Sequence, residues 1–142
     1  MNHVPTILYA EDDLDDLLMM KEAFQSYEQV CLQHAANGLD ACRALKTMVA
    51  DGQPPCLIIM DINMPVMNGK EAVRKIRADA SASAIPIILF TTSSGEPDLK
   101  FAKEFGLELF PKPLHYEDLR KLVQLFVQRC IGQEPSMVNR RS

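Results

Sequence analysis

Short apolar runs of strand length alternate with longer amphipathic stretches along this chain, five times over. Residues 6–10 form the first apolar run, closed by Glu11, Asp12 and Asp13. Leu14, Leu17, Leu18, Lys21 and Phe24 then recur at helical spacing, and Asp15 and Asp16 suit the positive end of that helix. Residues 30–35 give a weaker second strand. Asn37-Gly38 supplies a turn before a helix with Leu39, Cys42, Leu45 and Met48 on one side. Residues 56–60 are unbroken apolar, as a central strand buried on both faces requires, and the run stops abruptly at Asp61. A third helix over about 70–77 carries Ala72, Val73 and Ile76. Residues 85–90 form the fourth strand and 107–110 a short fifth. Between them lies a helix with Pro97 just inside its start, where a missing N–H costs little, and Gly106 at its end. Leu119, Leu122, Val123 and Phe126 line the last helix, and Gly132 and Pro135 mark where it stops.

Strand–helix alternation of this kind builds a parallel sheet covered by helices on both faces, so the expected class is α/β: a doubly wound sheet of five parallel strands flanked by five helices. The 142 residues allow one domain with a real core. That domain is expected over 1–131, with 132–142 as a short flexible C-terminal tail. A formal net charge of -4 repels phosphate backbones and anionic lipid surfaces, which disfavours nucleic acid or a membrane as partner. Arg140 and Arg141, in the tail, are given no role. No apolar run is long enough to span a bilayer and no leader opens the chain, so a cytoplasmic location is expected. Cys31, Cys42, Cys56 and Cys130 share no short spacing with one another or with histidine, which argues against zinc and leaves four free thiols as the expectation. His3, His34 and His115 have no partner arrangement.

The residues with reactive potential fall just past the predicted strands: Glu11 and Asp12 after the first, Asp61 after the third, Thr91 after the fourth and Lys112 after the fifth. In an open parallel sheet that edge is where ligands bind. Three carboxylates brought together repel one another unless one is protonated or a cation neutralises them. Magnesium suits such a set, because it prefers oxygen ligands and takes one or two carboxylates plus a phosphate oxygen. Asp12 and Asp61 could ligate it, and Glu11 could hold a metal-bound water. A carboxylate can also attack phosphorus to give an acyl phosphate, provided the equatorial oxygens are screened, and Lys112 and the Thr91 hydroxyl are placed to help with that. Seen alone, Asp61 would be a strand-end turn residue, Lys112 a solvated lysine and Thr91 a strand-end hydroxyl. Their coincidence is what favours a site. Asp13, Asp15 and Asp16 read instead as a solvated helix start.

With these residues in place the chain resembles the receiver domains of bacterial response regulators, from Thr6 to about Arg129. The resemblance rests on Ile7-Leu8-Tyr9-Ala10-Glu11-Asp12-Asp13, on Met60-Asp61-Ile62-Asn63-Met64-Pro65-Val66-Met67-Asn68-Gly69, on Ile85-Pro86-Ile87-Ile88-Leu89-Phe90-Thr91 and on Lys112-Pro113. It implies strand order 2-1-3-4-5, an order that a chemotaxis receiver of this fold also shows. It implies Asp61 as phosphoacceptor, Glu11 and Asp12 as the acidic metal pair, and Asn63 as a magnesium ligand through its main-chain carbonyl. Thr91 matches the switch hydroxyl, and Lys112 the lysine that pairs with the phosphoryl group. The Lys112–Pro113 bond is expected to be cis, as is usual in that family.

Two positions depart from the family pattern. Leu109 stands three residues before the lysine, where an aromatic is common, and Phe110 beside it should face the other way along a strand. Pro111 directly before Lys112 is unusual, and with Pro113 it is expected to end ladder hydrogen bonding around that lysine. Thr92 is larger than the Ala or Gly often found after the switch residue, and with Ser93 it should narrow the approach of water to a phosphoryl group.

By resemblance, the partners are a sensor histidine kinase, of hybrid or phytochrome type, as phosphodonor, and a downstream protein or a second copy of the chain. The readout surface is expected on helix four, strand five and helix five. The chain is thus expected to be a phosphoacceptor signalling domain rather than an enzyme, limited to its own phosphorylation and slow dephosphorylation. A pseudo-receiver, binding partners without phosphorylation, is the alternative. An aspartate-nucleophile phosphohydrolase fits less well, since Asn63 stands where such enzymes carry a second Asp and no room remains for a cap domain.

Overall fold

The computed structural model describes residues 4–92 and 95–132. Ser93, His3 and the tail from 133 onward, with Pro135, Arg140 and Arg141, therefore lie outside the described residues.

Five strands and five helices alternate: β1 Thr6–Ala10, α1 Leu14–Phe24, β2 Cys31–Ala35, α2 Gly38–Ala50, β3 Leu57–Met60, α3 Gly69–Ala78, β4 Ile87–Thr91, α4 Glu96–Glu104, β5 Glu108–Pro111 and α5 Tyr116–Ile131. All strand pairs are parallel, and the sheet order is β2-β1-β3-β4-β5. Both the class and the strand order agree with the sequence reading.

The two-residue period of the strands divides the core into two layers. Leu8, Ala10, Ile58, Met60, Ile87 and Leu89 meet α2, α3 and α4 through side chains such as Leu45, Val73 and Phe101. Ile7, Tyr9, Leu57, Ile59, Ile88 and Phe90 meet α1 and α5 through Met20, Phe24, Val123 and Phe126. Every residue of β3 and β4 is buried, which explains their unbroken apolar sequence. Each large aliphatic side chain so covered stabilises the fold by about 1.5–3 kcal/mol relative to exposure.

Helix starts are fixed by side-chain caps. Asp13 accepts from the Asp16 N–H at 3.0 Å and Asn37 from the Asp40 N–H at 2.8 Å. Asn68 and Glu71 form a reciprocal capping box on α3. Gly132 ends α5 in the left-handed conformation, φ 81°.

Three expectations are corrected. Cys56 and Cys130 are not free thiols: they form a disulfide that joins the entrance of β3 to the last turn of α5, leaving Cys31 and Cys42 free. No cis peptide bond occurs among the described residues, so Lys112–Pro113 is trans, the ordinary preference of an X–Pro bond. Pro111 does not break the β5 ladder but is its last residue, paired with Thr91. Its missing N–H is tolerated because β5 is an edge strand, and the next N–H, that of Lys112, donates to the Thr91 carbonyl at 2.9 Å.

Candidate functional site

The strand order reverses between β1 and β3, so the helices that follow them leave toward opposite faces and a crevice opens at the carboxyl ends of these strands. The two strands continue their ladders into the acids that follow. The Glu11 N–H donates to the Ala35 carbonyl at 3.0 Å and the Asp61 N–H to the Ala10 carbonyl at 3.2 Å. Carboxylate oxygens of Glu11, Asp12 and Asp61 consequently lie within 4.8 Å of one another. Glu11 and Asp61 are buried and Asp12 is exposed. They line a cleft of about 540 Å³ together with Asn63, Thr92 and Lys112.

Lys112 comes from the far edge of the sheet and reaches into this acidic group. Its Nζ lies 2.7 Å from Glu11 Oε1, 2.8 Å from Asp16 Oδ2 and 3.2 Å from Asp61 Oδ2. Burial pulls the ammonium down, but the hydrogen bonds to Asp16 and Glu11 and the charges of Asp61 and Glu11 outweigh it and hold Lys112 above its usual range. Glu11 also accepts from the Tyr9 hydroxyl at 3.0 Å and from the Asp13 N–H at 3.2 Å. Burial pushes the Glu11 carboxyl up to about 7, with the hydrogen bond and charge of Lys112 opposing and the charge of Asp61 adding. Burial, followed by the charge of Glu11, raises Tyr9 far enough that its hydroxyl remains a donor. Behind the site, His34 Nε2 donates to the Glu11 carbonyl at 2.7 Å, which places the proton on that nitrogen.

The loop after Asp61 is held closely. The Gly69 N–H donates to the Ile62 carbonyl at 2.8 Å, and a Cβ on Gly69 would sit 2.0 Å from the Asp61 carbonyl oxygen. Gly38, at the start of α2, packs against the same loop and donates to the Met67 carbonyl at 2.9 Å. Val66 takes φ 68°, uncommon for a β-branched residue. Asp61 is thereby presented on a short, constrained loop rather than a mobile one.

The remaining expected residues are placed as follows. Asn63 is exposed at the cleft. Thr91 is the final residue of β4 rather than a loop residue, and it is fully buried, while Thr92 lines the cleft. Leu109 packs with the layer under α2, α3 and α4, and Phe110 with the layer under α1 and α5, edge-on to Phe126 at 5.7 Å. The opposite facing of these neighbours agrees with the strand periodicity.

Two residues of the site were not anticipated. Asp16 is not merely a solvated helix start, because its carboxylate binds Lys112. Asp13 caps α1, and Asp15 is exposed. Tyr9 lies two residues before Glu11 and so points to the same face, a signal the strand period carries.

Four carboxylates, those of Glu11, Asp12, Asp16 and Asp61, face one ammonium, so the cleft keeps a surplus of negative charge. Clustered carboxylate oxygens with one open, exposed member suit a hard divalent cation.

Comparison with known proteins agrees with this architecture. Residues 7–124 match the family described as the response regulator receiver domain. The chain is 31% identical to Protein PilH of Pseudomonas aeruginosa, over 82% of this chain and 93% of PilH. It is 28% identical to the response regulator Rcp1 of Synechocystis, over 87% of this chain and 86% of Rcp1. The crystal structure of the Mn(2+)-bound form of Rcp1 superposes with TM-score 0.72 at 27% identity, covering 86% of this chain and 91% of that one. The phosphorylated cyanobacterial phytochrome response regulator RcpA shares the fold, with TM-score 0.80 at 22% identity over 94% of this chain and 100% of its own.

Proposed function

The chain belongs to the response regulator receiver domain family of two-component signalling, and from that premise we propose that Asp61 accepts a phosphoryl group from a phosphohistidine of a sensor histidine kinase. The observation that carries this reading is the approach of Lys112 Nζ to 3.2 Å from Asp61 Oδ2, inside a cluster where Glu11, Asp12 and Asp61 lie within 4.8 Å.

In the proposed transfer an Asp61 carboxylate oxygen attacks phosphorus. The bond from phosphorus to the donor imidazole nitrogen breaks, and its electron pair stays on that nitrogen. Lys112 meets the negative charge of the transferring group at its equatorial oxygens, and the fixed loop aims Asp61, so the protein contributes positioning and electrostatics. Asp12, Asp61 and the Asn63 carbonyl would hold Mg²⁺, and Glu11, in the same cluster, would hold a water bound to it. When bound, the ion supplies further positive charge at the phosphoryl oxygens. The Thr91 hydroxyl is proposed as the switch group, by its match to the family position.

The manganese-bound state of Rcp1 supports a divalent cation here. Receiver domains are signalling domains, and the proposed output is a changed affinity for a downstream protein or a second copy through the α4, β5 and α5 face. Leu14, 70% exposed at the cleft, and Leu114, 93% exposed beside Lys112, give an approaching phosphodonor an apolar contact. No helix among the described residues is long and apolar enough to cross a membrane.

The test is incubation with a small-molecule phosphodonor, with and without Mg²⁺, read by intact mass on the native chain and on Asp61→Asn. Gain of one phosphoryl group that needs both Mg²⁺ and Asp61 is the expected result. No gain in a folded, Mg²⁺-binding protein would overturn the phosphoacceptor reading in favour of a pseudo-receiver that binds partners without phosphorylation.

A further inference from the structure

Away from the acidic cleft, α2 and α3 diverge around a groove of about 680 Å³. Its apolar lining is contributed by Leu45 and Val49 of α2, Ile76 of α3, Met67 of the preceding loop and Ala82 beyond α3. Leu45, Ile76 and Ala82 are buried members of the core layer, so the groove opens directly onto packed apolar side chains.

The polar groups at this groove are predominantly cationic. Arg43 and Lys46 rise from α2 and Lys75 from α3, all exposed at their ends. Arg43 meets Asp40 only at 4.0 Å, and neither lysine makes an ion pair within 4 Å among the described residues. The carboxylate here, Asp79, is held below its usual range by the Ser81 hydroxyl at 2.7 Å and the Ser81 N–H at 3.0 Å and, less, by the charge of Lys46, so three cations stand against one anion at the groove. Cys42 also lines the groove, and burial pushes its thiol up despite Lys75 and Lys46, so it adds no competing anion at neutral pH. On a chain of net charge -4, this is a local reversal of sign set around an apolar recess.

From this juxtaposition we infer a second ligand site between α2 and α3, which takes a small amphipathic carboxylate: apolar body against Val49, Ile76 and Met67, carboxylate at Lys46 and Lys75. The volume lies within the range of small-molecule sites. The large exposed hydrophobics of the described chain, among them Leu14, Leu18, Leu99 and Leu114, lie elsewhere. The apolar surface here is therefore recessed, as for a small ligand, rather than displayed, as for a protein partner. The site does not depend on phosphorylation, and binding is measured on the unphosphorylated chain.

The experiment is calorimetric titration of the full chain with sodium octanoate, beside octan-1-ol and sodium acetate. Saturable one-site binding of octanoate is expected, with acetate not binding and octan-1-ol at least tenfold weaker. Lys46→Glu combined with Lys75→Glu should weaken octanoate at least tenfold, while Lys121→Glu, an exposed charge change on α5, should not. Val49→Phe should fill the recess and abolish saturable binding, with its melting curve confirming the fold; the lysine variant carries the test if that fold is lost. Absence of saturable octanoate binding to the native chain overturns the inference. So does equal binding of octan-1-ol, or octanoate binding unchanged in the folded Val49→Phe or the double lysine variant.

Discussion

Lys112 Nζ stands 2.7 Å from Glu11 Oε1, closer than its 3.2 Å to Asp61, so the ammonium is held chiefly by Glu11 and, at 2.8 Å, by Asp16 rather than by the proposed phosphoacceptor. Even so, burial keeps Glu11 up at about 7, well above its ordinary 4.5. A carboxyl raised in the folded state favours folding through its neutral form. That contribution is complete below about 4.5 and is lost as pH rises through about 7. Metal-free protein should therefore melt progressively lower from about pH 4.5 to 7 and level off above that. A cation held by this cluster must displace the proton, so apparent Mg²⁺ affinity should climb by up to about tenfold per pH unit below 7 and level off above it. Calorimetric titration of Mg²⁺ across that range checks the slope, and a flat profile would remove Glu11 from the account.

Gly69→Ala tests how tightly the loop presents Asp61. The added Cβ would meet the Asp61 carbonyl oxygen at 2.0 Å, and main-chain atoms there cannot swing aside. A loss of about 3 kcal/mol is expected in urea unfolding, with impaired phosphorylation in whatever remains folded. Gly52→Ala, which meets no neighbour but sits at φ 73°, should cost less and leave phosphorylation intact.

The disulfide lies at the other end of the sheet from the cleft. It closes a loop of 74 residues, and by the chain-entropy relation such a closure contributes about 4 kcal/mol. Cys130→Ser should lower the urea midpoint accordingly in oxidised protein, and a reducing agent should bring the native chain to the same value. Phosphorylation should be unchanged in both. An equal midpoint with and without reductant would show that the bond does not constrain the chain.

Thr92 lines the cleft, and under the proposed function its side chain would narrow the path of water to a phosphoryl group on Asp61. Thr92→Ala should shorten the acyl phosphate lifetime by about fivefold, ~1 kcal/mol of barrier. Decay followed by mass spectrometry after removal of the phosphodonor measures it, and an unaltered lifetime rejects the shielding role.

The site was legible in the sequence where topology alone decides it. Glu11, Asp12, Asp61 and Lys112 each follow a strand, and a parallel sheet brings such positions to one edge whatever the loops do. Asp16 was not, because its pairing depends on how far the Lys112 side chain reaches from the far edge of the sheet toward α1, which no local pattern records; as an acid near a helix start it looks like many solvated ones. The Cys56–Cys130 bond was equally silent. Its partners are 74 residues apart, and only the arrival of the α5 end beside the β3 entrance unites them. Pro111 read as a ladder breaker because proline removes a donor. That argument fails on an edge strand, where the ladder resumes at the Lys112 N–H. Leu109 and Phe110 were read correctly, since the two-residue period fixes facing without knowledge of the fold.

The central claim is the identity of the accepting carboxylate, among several crowded into one cleft. Borohydride reduction of the phosphorylated protein converts an acyl phosphate to the corresponding alcohol, and tandem mass spectrometry of the peptides then locates the converted residue. Conversion at Asp61 alone, dependent on Mg²⁺, is the predicted result; conversion at Asp12, Asp16 or Glu11, or none at all, would contradict it.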